Sequence, residues 1–117
     1  MIVLAAVIAG IGSALADRAP VARALDPPPP PMSRALASWY DDSGSTASGR
    51  HYRLGFASLL FGSEWGRRVR FCYRGCAVGQ LDDHGPYVSG RLFDLGPALK
   101  ATIGCGDLCW LRYRADG

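Results

Sequence analysis

The chain has 117 residues, 20% of them charged, and its thirteen Lys and Arg against ten Asp and Glu leave a net charge of +3. Within that length there is room for one domain. The mild basicity is spread along the sequence rather than clustered, with no basic run interleaved with aromatics, so nucleic acid is not an expected partner.

Met1 to Ala16 is almost entirely small or apolar and ends in Ala14-Leu15-Ala16, which resembles a signal-peptidase cleavage site. The run is shorter than the ~20 residues a spanning helix needs and lacks a basic start, so residues 1–16 are expected to be a signal peptide or an uncleaved anchor of an exported protein. Membrane contact is expected only through that segment if it is retained. Residues 17–33 are expected to be a linker, because Pro27 to Pro31 are consecutive and should form a stiff polyproline II spacer of ~3.1 Å per residue. Residues 34–117 then form the domain.

Within it, Ala35 to Tyr40 reads as a first strand. Arg67 to Tyr73 alternates Arg68 and Arg70 with Val69 and Phe71, and Cys76 to Leu81 returns as its hairpin partner. Leu81 leads into Asp82 and Asp83 at the end of an apolar strand, Gly85-Pro86 forces a change of direction, and Arg91 to Leu95 resumes the alternation. Pro97 to Ile103 predicts a short helix, with proline in its first turn and Gly104 as its stop. Trp110 to Arg114 closes as a strand with Leu111 and Tyr113 on one face and Trp110, Arg112 and Arg114 on the other. The pattern predicts a mainly β fold, a small barrel.

A core this small buries little apolar surface, so covalent staples are expected, and four cysteines are present. Cys72 and Cys76 flank Tyr73-Arg74-Gly75, a three-residue hairpin loop, and Cys105 and Cys109 flank Gly106-Asp107-Leu108 in the same way. The preferred pairing is Cys72 with Cys76 and Cys105 with Cys109, although four cysteines allow three connectivities. A single zinc site is the competing use of two such pairs, but structural zinc sites usually space their cysteines more closely, and no metal or other cofactor is expected.

The segment from Asp82 to Leu95 carries the candidate chemistry, because it sets Asp83 and Asp94 on either side of the Gly-Pro turn. An aspartate before such a turn also serves simply to bond its own backbone, and that reading stays open. Two further segments bear on the choice: Ala37-Ser38-Trp39-Tyr40 followed by Thr46-Ala47-Ser48-Gly49, and Leu59-Leu60-Phe61-Gly62-Ser63. With Asp83-His84-Gly85-Pro86-Tyr87 and Gly90-Arg91-Leu92-Phe93-Asp94-Leu95 they stand in the order of the motifs of rare lipoprotein A, and the chain from Ala37 to Gly104 resembles that family's double-psi β-barrel domain. Expansins and barwin-like proteins are similar in barrel and more distant in motif. Phe56 stands where the family has a histidine, and His84 where it has an arginine.

The resemblance implies a six-stranded double-psi barrel with one or two short helices, acting on peptidoglycan as a lytic transglycosylase that leaves 1,6-anhydromuramic ends. Glycosidic cleavage needs an acid at the leaving oxygen, and the resemblance assigns that role to Asp83, with Asp94 and Thr46 completing the catalytic set. A nearby carboxylate, Asp94 or Asp82, would hold the proton on Asp83 by repulsion. Ser58 and His84 are the polar neighbours available in place of the family histidine. Trp39, Tyr40 and Tyr87 offer flat faces for sugar rings, and Ser48, His84 and Arg91 polar contacts, although packing is an equal use for the aromatics. The loss of the histidine supports an alternative, a non-catalytic expansin-like module that grips wall polysaccharide, and a third reading is a stapled structural or inhibitory protein of the barwin kind. The expected partner is peptidoglycan glycan, and the expected state a monomer.

Overall fold

A computed structural model describes residues 27–116, so the predicted signal peptide or anchor and most of the linker lie outside the described residues. Pro27 to Pro30 are exposed and belong to no regular element. Alternation then takes over. The strands are β1 (Ser33–Trp39), β2 (Gly55–Ala57), β3 (Arg68–Cys72), β4 (Cys76–Asp83), β5 (Arg91–Leu95) and β6 (Cys109–Ala115), with one helix, α1 (Pro97–Ile103), between the last two. They close into a ring in the order β1-β5-β2-β4-β3-β6. β1 runs parallel to β5 and β2 parallel to β4, while the remaining neighbours are antiparallel. This is the mainly β, six-stranded closed barrel with a short helix that the sequence predicts.

Side chains at every second position fill the ring. Val69 and Phe71 of β3, Phe93 and Leu95 of β5 and Leu111 of β6 are fully buried, whereas Arg68, next to Val69, and Arg112, next to Leu111, are exposed. Phe56, Phe71 and Phe93 meet edge to face, with centroids 5.0 Å apart for Phe56–Phe71 and for Phe71–Phe93. This is the quadrupole-favoured geometry for aromatic rings. Helix α1 closes the barrel with Leu99 and Ile103, both fully buried and one turn apart. Gly104 ends the helix in the left-handed region at φ 77°, which costs a residue without Cβ nothing. The β3–β4 hairpin covers the same end: the Arg74 and Gly75 N–H groups donate to the Ile103 carbonyl at 3.0 and 3.2 Å. Two carbonyl lone pairs of a short helix are thus satisfied by the tip of a neighbouring hairpin.

Both expected disulfides form, Cys72–Cys76 and Cys105–Cys109. The first ties the ends of the β3–β4 hairpin, and the second fixes the turn from α1 into β6. Each closes a short loop, so each should contribute about 2 kcal/mol by loop entropy. Reduction of both is therefore expected to lower the urea midpoint of unfolding measurably while leaving the fold in place, and Cys72→Ser/Cys76→Ser should reproduce about half of that loss.

Candidate functional site

Asp83 ends β4 and Asp94 is the penultimate residue of β5, whereas Trp39 ends β1 and Arg91 opens β5. Ala57 of β2 is the hub of the register, paired with Asp83 on one side and Asp94 on the other. The two aspartates therefore share a row of the sheet with a strand between them, rather than facing each other across a loop. Two strand spacings separate their backbones by about 10 Å.

Each carboxylate is occupied by its own chain. Asp83 Oδ1 accepts the Ala47 N–H at 2.9 Å and the His84 N–H at 2.8 Å, so it anchors the loop that carries Thr46 and Ser48. Asp94 Oδ1 accepts the Ser38 hydroxyl. Thr46 and Ser48 point inward to their own loop, where both hydroxyl oxygens accept the Arg50 N–H, at 3.1 and 3.0 Å. His84 turns its ring onto Trp65, centroids 4.8 Å apart, with Nε2 3.2 Å from the Gly62 carbonyl. Ser58 is fully buried and donates to the Leu92 carbonyl at 3.0 Å. Neither residue offers a free proton relay to Asp83. Phe56, at the family's histidine position, lies wholly in the core.

Asp82 is the residue that the alternation hid. Leu81 and Asp82 are both buried, which a strict period of two does not allow, and the shift occurs beside the register irregularity between Phe56 and Ala57. Its carboxylate accepts the Tyr40 hydroxyl at 2.7 Å and the Tyr52 N–H at 3.4 Å. Gly55 makes the room: a Cβ there would lie 2.2 Å from Asp82 Oδ2. Burial pushes the Asp82 carboxyl above the usual carboxylate range, against the pull of the bonds from Tyr40 and Tyr52. Burial first, and then the bond and charge of Asp82, push the Tyr40 hydroxyl far above its ordinary value.

The aromatic candidates divide. Tyr40 is committed to Asp82, whereas Tyr87 is 78% exposed beyond the Gly85–Pro86 turn, whose peptide is cis. Trp39 is partly exposed, with its indole N–H donating to Asp107 at 3.2 Å and the Lys100 ammonium 4.3 Å from its ring. Arg91 opens β5, its N–H bonded to the Val88 carbonyl at 3.1 Å. A polar cavity of about 320 Å³ is lined by Ser43, Gly44, Ser45, Thr46, Gly49 and His51. Of these only Thr46 is a site residue expected from sequence, with Gly49 in its motif; a Ser/Gly-rich loop gives no sign of enclosing space. No cluster of metal ligands occurs among the described residues.

No family model matches the chain. No curated protein matches it either. Among solved structures it is similar to the Streptomyces papain inhibitor, at 17% identity and a TM-score of 0.56, over 76% of this chain and 97% of that one. The likeness to rare lipoprotein A thus stands on its motifs, and what the comparison establishes is architectural: this small closed six-stranded β-barrel is similar in fold to that inhibitor.

Proposed function

We propose that this barrel is an exported module that grips cell-wall glycan without cleaving it, the expansin-like alternative rather than the lytic transglycosylase. The observation that carries this reading is Phe56, fully buried where the resembled family has a histidine. Asp83 and Asp94 support it: each is held by donors of its own chain, and with a strand between them their backbones lie about 10 Å apart, so they do not form a close carboxylate pair. Tyr87 and Trp39 remain as surfaces for sugar rings. Two disulfides suit the oxidising environment outside the cytosol.

The test is incubation of the protein with purified peptidoglycan, with and without stem peptides, followed by sedimentation and mass spectrometry of the supernatant. Co-sedimentation without 1,6-anhydromuramic products is expected. Tyr87→Ala should weaken binding roughly fivefold, as loss of one aromatic face worth on the order of 1 kcal/mol implies. Release of anhydro products by the parent and not by Asp83→Asn would instead establish the transglycosylase.

A second reading, inhibition of a papain-type cysteine protease, is favoured by the exposed apolar side chains Leu59, Leu60, Tyr87 and Val88 on two loops joined at His84, together with the name of the structural neighbour. Titration of papain activity with the full chain decides it. A stoichiometric loss of activity that Leu60→Asp relieves would support inhibition, and unchanged activity would remove it.

A further inference from the structure

Strand alternation gathers on one wall of the barrel the arginines that are scattered in sequence. β6 lies between β1 and β3, and its outward residues Trp110, Arg112 and Arg114 are met across the sheet by outward residues of both neighbours. Arg34 pairs directly with Arg112, and Arg70 directly with Arg114. Cβ atoms of such opposed residues lie about 5 Å apart, and like charges in that position destabilise a sheet. The only acid on this wall among the described residues is Asp116, and it is engaged with Arg68 at 3.1 Å and Arg70 at 3.7 Å. Arg34, Arg112 and Arg114 form no ion pair among the described residues. Arg70 Nε is buried without a hydrogen-bond partner. Asp116 offsets only part of this charge, and Arg34, Arg112 and Arg114 are left to be neutralised from outside, by an anion.

We propose that the outer face of β1, β6 and β3 binds a linear phosphodiester polymer that carries no bases. Arg112 and Arg114 are two residues apart on one strand, about 6.8 Å, so the two opposed pairs form a row that matches a chain of repeated anions better than a single one. The guanidinium fork suits phosphate oxygens. Bases are disfavoured because Trp110, the exposed aromatic beside these arginines, already has the Arg34 guanidinium 5.5 Å from its ring, and successive bases need successive free rings. The arginine row is removed from Tyr87, the glycan contact tested above, which lies between β4 and β5; neither of those strands adjoins β6 in the ring, although Trp39 ends β1, the strand that carries Arg34. The proposal therefore holds or fails independently of the glycan reading.

The test uses the full chain, poly(glycerol phosphate) and single-stranded oligothymidine of equal charge, with binding measured by calorimetry from low to physiological salt. The parent should bind poly(glycerol phosphate) with a slope of log K against log salt of roughly −2 to −3, as three or four neutralised phosphates imply. Arg34→Gln/Arg112→Gln/Arg114→Gln should lower that affinity at least tenfold, leave glycan co-sedimentation unchanged, and melt no lower than the parent because repulsion is relieved. Should the triple variant not fold, Arg112→Gln and Arg114→Gln singly should each cut the salt slope by about one. Absence of binding at low salt, or binding that these substitutions leave intact, overturns the proposal. Tighter binding of oligothymidine overturns it in favour of a single-strand nucleic-acid surface.

Discussion

Replacing Phe56 with histidine, the residue that the resembled family carries there, is expected to weaken the barrel severely rather than confer cleavage. Phe56 is fully buried, and its ring meets Phe71 and Phe93 edge-on at 5.0 and 5.8 Å. Histidine is smaller and brings two polar nitrogens into a wall of phenylalanine and leucine. Lost volume and unpaired polar atoms together should cost about 3–5 kcal/mol. The loss is also pH-dependent. An imidazole in an apolar site favours its neutral form, so its folded pKa falls below the ordinary ~6.5 and the unfolded chain binds more protons. Stability of Phe56→His should then fall further as pH drops below that value, by up to ~1.4 kcal/mol per pH unit. Urea unfolding at pH 8 and pH 5.5 checks both parts. A variant as stable as the parent at both would mean that this position opens to water, and would return a histidine-dependent mechanism to the fold.

The fold was legible because its signals are local: alternation in Arg68–Cys72 and Cys109–Ala115, proline and glycine at the ends of Pro97–Ile103, and cysteines spaced to close a hairpin. β2 was not legible, since a strand of three residues contains barely one period and is defined by its neighbours β4 and β5. Its absence from the sequence reading also misplaced Asp83 and Asp94 as partners across a loop, because the strand between them was invisible. Asp82 is legible from sequence only as a charge beside Asp83, and its burial is not, for a related reason. Its burial arises from a register irregularity and from the space left by Gly55, and both are properties of paired strands rather than of one segment. The arginine wall was hidden in the same way: Arg34, Arg70 and Arg112 are far apart in sequence and become neighbours only when the ring closes.

The pair of Tyr40 and Asp82 should give the barrel a stability profile that one substitution reshapes at both ends of the pH scale. At neutral pH the Tyr40 hydroxyl is the shorter of the two hydrogen bonds that hold the buried Asp82 carboxylate, at 2.7 Å against 3.4 Å from Tyr52 N–H. Tyr40→Phe removes it and should cost about 1–3 kcal/mol, the penalty for leaving a buried acceptor short of a donor. On the alkaline side, burial and Asp82 keep Tyr40 protonated in the fold well above the ordinary tyrosine value of 10.0. The unfolded chain loses that proton first, so stability present below pH 10 declines above it, by at most ~1.4 kcal/mol per pH unit and less after solvent screening of a half-buried ring. Tyr40→Phe has no such proton to lose. On the acid side the folded Asp82 carboxyl titrates above its ordinary 3.8, so its ionised form costs stability at neutral pH and that cost is relieved as pH falls. Without the tyrosine hydroxyl, one of the bonds opposing this shift is gone, and the relief begins at higher pH. The parent should therefore exceed the variant most clearly between pH 7 and pH 9, with the gap narrowing toward pH 5 and again toward pH 11. Urea midpoints across that range test it. A constant offset at every pH would mean that the hydroxyl contributes without governing the charge of Asp82, and no offset at any pH would mean that Tyr40 acts through its ring alone.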